Sequence, residues 1–90
     1  MFEIVYHYLA VEEDVPKLDR VWKAEIKRAI EEKLAIAPDM YGKPLRRSLK
    51  GYRKLRVGDY RVIYRIEENR IKVFAIQHRS VVYETAEKRI

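Results

Sequence analysis

Cysteine is absent from this chain, which rules out disulfides, thiolate metal sites and cysteine nucleophiles. That absence suits a reducing cytoplasm, the expected location. Glycine and proline number three each, and no Gly-, Ser- or Pro-rich stretch could serve as an interdomain linker, so residues 1–90 are expected to form a single small domain around one modest core. No apolar run approaches the ~18 residues needed to span a bilayer. The opening segment MFEIVYHYLA lacks the basic start and long apolar stretch of a signal peptide, so no membrane partner is expected. The two histidines lie far apart on separate predicted strands and the carboxylates fall mostly on predicted helices, a distribution that predicts no metal site. There is no Gly-rich phosphate loop, and no small-molecule cofactor is expected.

What is present is positive charge, concentrated in one place. Lys43 to Arg65, KPLRRSLKGYRKLRVGDYRVIYR, carries nine Lys or Arg and one acid, Asp59, for a net charge of +8 against +6 for the whole chain. Residues 1–42 sum to −3 and residues 66–90 to +1. With 48% hydrophobic residues the chain is too apolar to be a disordered basic tail, so the charge must sit on a folded surface, where it forms an electrostatic footprint for polyphosphate. Tyr41, Tyr52, Tyr60 and Tyr64 interleave or flank the stretch. A tyrosine ring can stack on an unpaired base while cations hold the backbone. Charged residues alternating with apolar ones also mark any half-buried strand, and that plainer reading suits Arg65.

Phe2 to Tyr8 alternates with period two and predicts a strand. Asp14 can cap a short helix with Pro16 in its first turn, and Asp19 a longer one. In the longer segment Leu18, Trp22, Ile26, Ala29, Ile30 and Leu34 recur at helical spacing, an amphipathic helix lying on a sheet with Trp22 in the core. Pro38 is expected to close it, with a loop from Asp39 to Pro44. Tyr52 to Val57, a Gly58-Asp59 turn, Tyr60 to Glu67, a turn at Asn69 and Ile71 to Gln77 predict an antiparallel meander. Alternation puts Tyr60, Val62, Tyr64 and Ile66 on one face and Arg61, Ile63 and Arg65 on the other, pairs Lys54 with Arg56, and sets His78 on the face of Phe74 and Ile76. Register between strands is not readable, so whether Lys54, Arg61 and His78 converge stays open. Ser80 is placed to cap a last helix from Val81 to Ile90. The fold class is therefore α+β: an N-terminal strand, two helices, an antiparallel meander and a short C-terminal helix.

A set of Arg, Lys, His and Tyr without metal ligands suits metal-free RNA chemistry. RNA brings its own nucleophile, the 2′-hydroxyl, so an enzyme need only deprotonate it, stabilise charge on the phosphorane and protonate the leaving 5′-oxygen. Arginine and lysine can do the second task; histidine, tyrosine or a lysine of lowered pKa can do the others.

Tyr41 to Ile66, YGKPLRRSLKGYRKLRVGDYRVIYRI, followed by Ile71 to Glu84, IKVFAIQHRSVVYE, resembles the RelE/ParE superfamily of toxins from toxin–antitoxin pairs, in particular its RelE-like branch. The resemblance implies a RelE-like toxin domain over residues 1–90, acting as a metal-independent endoribonuclease on mRNA in the ribosomal A site and silenced by a RelB-like antitoxin. It implies that Arg61 stabilises the phosphate, Lys54 takes part in proton transfer, Arg79 is a second catalytic arginine and Tyr83 orients the substrate. His78 is similar in placement to the histidine of YoeB-like relatives, although a strand-end His78-Arg79 pair could instead make backbone hydrogen bonds. Lys43, Arg46, Arg47, Lys50, Arg53 and Arg56 are the candidate RNA-binding cations. Two positions depart from the pattern: Tyr52 stands where RelE has the first lysine of a Lys-x-Lys pair, and Lys43 where YoeB has a glutamate base. The general base stays open. Rival readings are a ParE-like poison of DNA gyrase and a non-catalytic RNA- or ribosome-binding module.

Overall fold

Arg53–Val57 (β3), Tyr60–Glu67 (β4) and Arg70–His78 (β5) form the antiparallel meander that the alternating pattern predicts. The structure, a computed structural model, describes every residue from 1 to 90. Glu3–Tyr6 (β1) adds in parallel to β5, and the short Lys43–Pro44 (β2) adds antiparallel to β3, giving the sheet order β1-β5-β4-β3-β2. Helix α1, Arg20–Ala29, continues through a wide helical turn to Leu34 and lies on one face of the sheet, while α3, Val82–Arg89, lies on the other.

An isolated helix of this length is marginal in water, so α1 is held by its apolar stripe. Leu18, Ile26, Ile30 and Leu34 pack on Leu55, Val62, Tyr64, Ile71, Val73 and Ile76, with Trp22 and Ala29 at the margin. Full burial of each such side chain contributes about 1.5–3 kcal/mol. A smaller outer core joins Leu49, Ile63, Phe74 and Ala75 to Val82 and Ala86 of α3.

The helix starts are only partly as predicted. Asp19 caps α1, accepting from the Trp22 amide at 2.9 Å. Asp14 makes no cap bond; its carboxylate is buried and ion-paired to Arg89, and the residue directly precedes a tight turn (Val15–Lys17) that holds Pro16. Nor does Ser80 cap α3, because its hydroxyl and amide are both engaged by His78 Nδ1 at 2.8 and 3.1 Å. Pro38 opens a short helical turn, α2 (Pro38–Tyr41), rather than closing α1, and the expected loop to Pro44 contains that turn and β2. β1 stops at Tyr6 because the His7 carbonyl accepts from Ala10 at 2.9 Å and the chain turns into a helical segment, Ala10–Asp14.

One alternation fails for a definite reason. Ile63 pairs with Ala75 and Tyr64 with Val73, so Phe74 is an extra residue in β5, a bulge. Phe74 consequently joins the outer core while Ile76 joins the inner one. Phe74 therefore does not share a face with Ile76 and His78.

His7 offers a check on this packing. Its Nδ1 accepts the Leu9 amide at 3.1 Å and its ring meets Phe74 edge-on, so the neutral ring is the one that fits. Burial holds its pKa below the ordinary 6.5, with Lys72 and Arg89 pushing the same way and Asp14 opposing them. The unfolded chain then binds the proton more readily, so this contribution is full above pH ~6.5 and is lost as pH falls through the lower folded value. Melting curves from pH 7.5 downward should show a loss of stability that His7→Gln reduces.

Candidate nucleic-acid interface

Residues paired in register project to the same side of a sheet, which decides what the alternating pattern left open. Lys43 lies opposite Lys54, and Arg56 opposite Arg61. Two like-charged cross-strand pairs thus stand side by side on the α3 face, an arrangement that costs stability and that no carboxylate relieves, since none of the four joins an ion pair. Together with Tyr41 they line a cavity of about 190 Å³.

Arg61 is aimed by the backbone. Its Nη1 donates to the carbonyls of Gly58 and Tyr60, both at 2.9 Å, leaving Nε and Nη2 for an incoming acceptor. The hairpin that supplies those carbonyls depends on Gly58 at φ 60°, where a Cβ would collide with the Trp22 ring. Lys54 Nζ stands 5.6 Å from the centroid of Tyr83, on the first turn of α3. Lys54, Arg61 and Tyr83 are therefore brought to one face.

Other candidates are placed elsewhere. His78 is in register with Tyr60, on the α1 side, meets that ring edge-on at 5.9 Å, and lines a different cavity with Lys17, Leu18 and Gln77. Arg79 sits beyond the end of β5, where its amide donates to the Asp59 carbonyl at 2.8 Å and its Nε lies 3.8 Å from the Asp59 carboxylate. Arg53 turns inward, opposite Tyr64, and donates to the Asp39 and Gly42 carbonyls at 3.0 and 3.3 Å, so it is spent on the fold rather than offered to a ligand. Arg46, Arg47 and Lys50 are exposed around the tight turn Arg47–Leu49. Arg65 is exposed, 5.8 Å from the Tyr52 centroid and 3.5 Å from the Glu67 carboxylate. No three His, Cys, Asp or Glu side chains gather where they could hold a metal ion, and no helix is long and apolar enough to cross a membrane.

The segment bearing Tyr41 is pinned from the sheet's inner face. Besides the two Arg53 bonds, the buried Tyr64 hydroxyl donates to the Pro38 carbonyl at 2.6 Å. Burial raises the pKa of that hydroxyl, so it stays a donor. Gly42 is pressed onto the same ring, leaving no space for a Cβ. Tyr41 is one of the four tyrosines that the sequence offers for base stacking, by its place at the border of the basic stretch, though not one of the candidate RNA-binding cations or catalytic residues.

Residues 2–83 match the family described as the ParE toxin of the type II toxin–antitoxin system parDE. Toxin RelE of Mycobacterium tuberculosis is 44% identical over 48 residues, which cover 51% of this chain and 50% of that protein. Among solved structures, a RelBE toxin–antitoxin complex from Mycobacterium tuberculosis superposes with a TM-score of 0.80 at 29% identity, over 86% of this chain and 96% of that one. The isolated Escherichia coli RelE toxin superposes with a TM-score of 0.72 at 23% identity, over 99% and 98% of the two chains, a likeness of fold. With the family matched over residues 2–83 and the fold shared, this chain is a member of the RelE/ParE superfamily, a toxin of the type II toxin–antitoxin class.

Proposed function

We propose that residues 1–90 act as one cytoplasmic toxin domain, a metal-independent endoribonuclease that cuts mRNA on the ribosome. The observation that carries this reading is the cavity where Lys43, Lys54, Arg56 and Arg61 converge with no carboxylate to neutralise them. Such a site is costly unless a polyanion completes it. In the reaction, the 2′-oxygen bonds to the adjacent phosphorus as the P–O5′ bond breaks, leaving a 2′,3′-cyclic phosphate and a 5′-hydroxyl. Arg61 holds the charge that builds on the phosphate oxygens. Lys54 and Lys43, which line the cavity, and Tyr83, which meets Lys54, are the groups we assign to the two protons, one taken from the 2′-hydroxyl and one given to the 5′-oxygen. Arg79, beyond the end of β5 beside Asp59, reaches a neighbouring phosphate on leaving that carboxylate. His78, on the other side of the sheet, takes no part.

The partner is a RelB-like antitoxin, supported by the RelBE complex to which this chain is similar. It would be an acidic, partly disordered chain that folds across the basic face and competes with RNA. The ParE family match supports a second reading, poisoning of DNA gyrase. Sequencing nucleic-acid ends after a brief pulse of expression separates the two: cuts within messages support the nuclease, whereas DNA breaks without RNA cuts would replace it.

Phosphate-led binding is salt-dependent, losing about 0.7 in the log–log slope per single-strand contact removed. Arg46→Glu with Arg47→Glu should weaken ribosome binding, flatten that slope and leave the melting temperature near wild type, since both side chains are exposed. An unchanged salt titration would move the RNA surface elsewhere.

A further inference from the structure

Four tyrosines accompany the basic stretch, and the structure treats them differently. Tyr64 is fully buried. Tyr52 packs on Phe74, ring centroids 5.0 Å apart, as part of the outer core. Tyr60 faces the other way, against Trp22 at 5.2 Å. Tyr41 alone lines the cavity of Lys43, Lys54, Arg56 and Arg61, and it is 50% exposed. Tyr83 meets Lys54 but is packed against the outer core and does not line that cavity.

Tyr41, the last residue of the short turn α2, is also firmly held. The backbone on either side of it is tied down by the bonds from Arg53 to the Asp39 and Gly42 carbonyls and from Tyr64 to the Pro38 carbonyl. Lys33, from the end of the α1 layer, places its Nζ 5.6 Å from the ring centroid. A ring whose main chain is fixed at three points loses little conformational freedom when a flat ligand lies against it. Beside cations suited to phosphate, the flat ligand of matching chemistry is an unpaired nucleobase.

We propose that Tyr41 is the base-stacking wall of this cavity, the residue that grips and helps select the nucleotide next to the phosphate held by Arg61. This rests on the RNA reading above and adds a specificity determinant to it. Lys43 and Arg56 fix the strand by its phosphates, which carry no sequence information. The base lying on Tyr41 is where preference among nucleotides enters.

The test compares wild type, Tyr41→Ala and Tyr41→Phe in two assays: cleavage of mRNA on ribosomes, and anisotropy of a fluorescent single-stranded oligoadenylate and of an abasic strand of equal length. Tyr41→Ala is expected to raise the KM for mRNA about tenfold, the effect of one lost base stack, with a smaller change in kcat and a flatter distribution of cut sites. It should weaken oligoadenylate binding by a similar factor and leave abasic-strand binding unchanged. Tyr41→Phe should restore both base-dependent readouts. If Tyr41→Ala matches wild type on both strands, or weakens both equally, the assignment is overturned. Base-dependent binding that Tyr41→Ala abolishes, in a protein that cuts no RNA, would overturn the nuclease reading and uphold the stacking wall.

Discussion

Arg61→Ala is expected to lower the rate of mRNA cleavage on ribosomes by ~10²-fold or more, the usual effect of removing one preorganised donor from a developing oxyanion, while ribosome binding and the melting temperature stay close to wild type. The reason lies in how the guanidinium is held. Two backbone carbonyls of the β3–β4 hairpin fix Nη1 and direct the remaining N–H groups outward, so little reorganisation is needed as charge develops. Binding survives because Lys43, Lys54 and Arg56 still line the cavity. Arg61→Lys keeps a charge but loses the planar fork, and should recover only part of the rate. His78→Gln provides the contrast: with His78 across the sheet beside Tyr60, rate and pH profile should follow wild type. Near-normal cleavage by Arg61→Ala would sink the catalytic assignment and leave the binding-module reading. A flattened pH profile in His78→Gln would return that residue to the proton chemistry.

Arg89→Met should be the most destabilising single change to the fold. Asp14 is 0% and Arg89 5% exposed at the side chain, and the two meet through both carboxylate oxygens at 2.8 Å. The same carboxylate accepts from the Ile76 amide at 2.9 Å and from Gln77 Nε2 at 2.8 Å, and Arg89 reaches the Phe74 carbonyl at 3.1 Å. Hydrogen bonding to Asp14 raises the pKa of the guanidinium, which keeps its charge throughout the working range. Removing one partner strands a buried charge at a cost of about 3–5 kcal/mol, a large share of the ~5–15 kcal/mol that stabilises a whole domain. Thermal unfolding should register it as a fall of well over ten degrees, at about 4–8 °C per kcal/mol for a chain of this size. Replacing both partners, Asp14→Leu with Arg89→Met, should recover part of the loss, because no uncompensated charge remains. A single-variant loss below about 1 kcal/mol would mean that water reaches the carboxylate. Since the pair ties α3 to β5, and α3 carries Tyr83 to Lys54, Arg89→Met should also reduce cleavage at temperatures where the domain is still folded.

Much of this protein is written in local pattern. The meander, the amphipathic face of α1, the Asp19 cap and the Gly58-Asp59 turn follow from periodicity and turn chemistry, which act over a few residues. The basic stretch was equally visible, because net charge needs no geometry to count. Tertiary structure decided whatever depends on register and long-range pairing. A bulge at Phe74 broke an alternation that no local signal marks. Cross-strand register put Lys54 and Arg61 on one face with Lys43 and Arg56 and carried His78 to the opposite face, since neighbours across a sheet are set by the whole pairing pattern rather than by either strand. Arg53 and Arg56 are equally basic in sequence and differ only in which face of β3 they occupy, so one braces the Pro38–Tyr41 turn while the other lines the cavity. Asp14 shows the same limit most sharply: as a residue before a proline turn it reads as a cap, and only the fold brings Arg89, 75 positions along the chain, close enough to bury it as an ion pair.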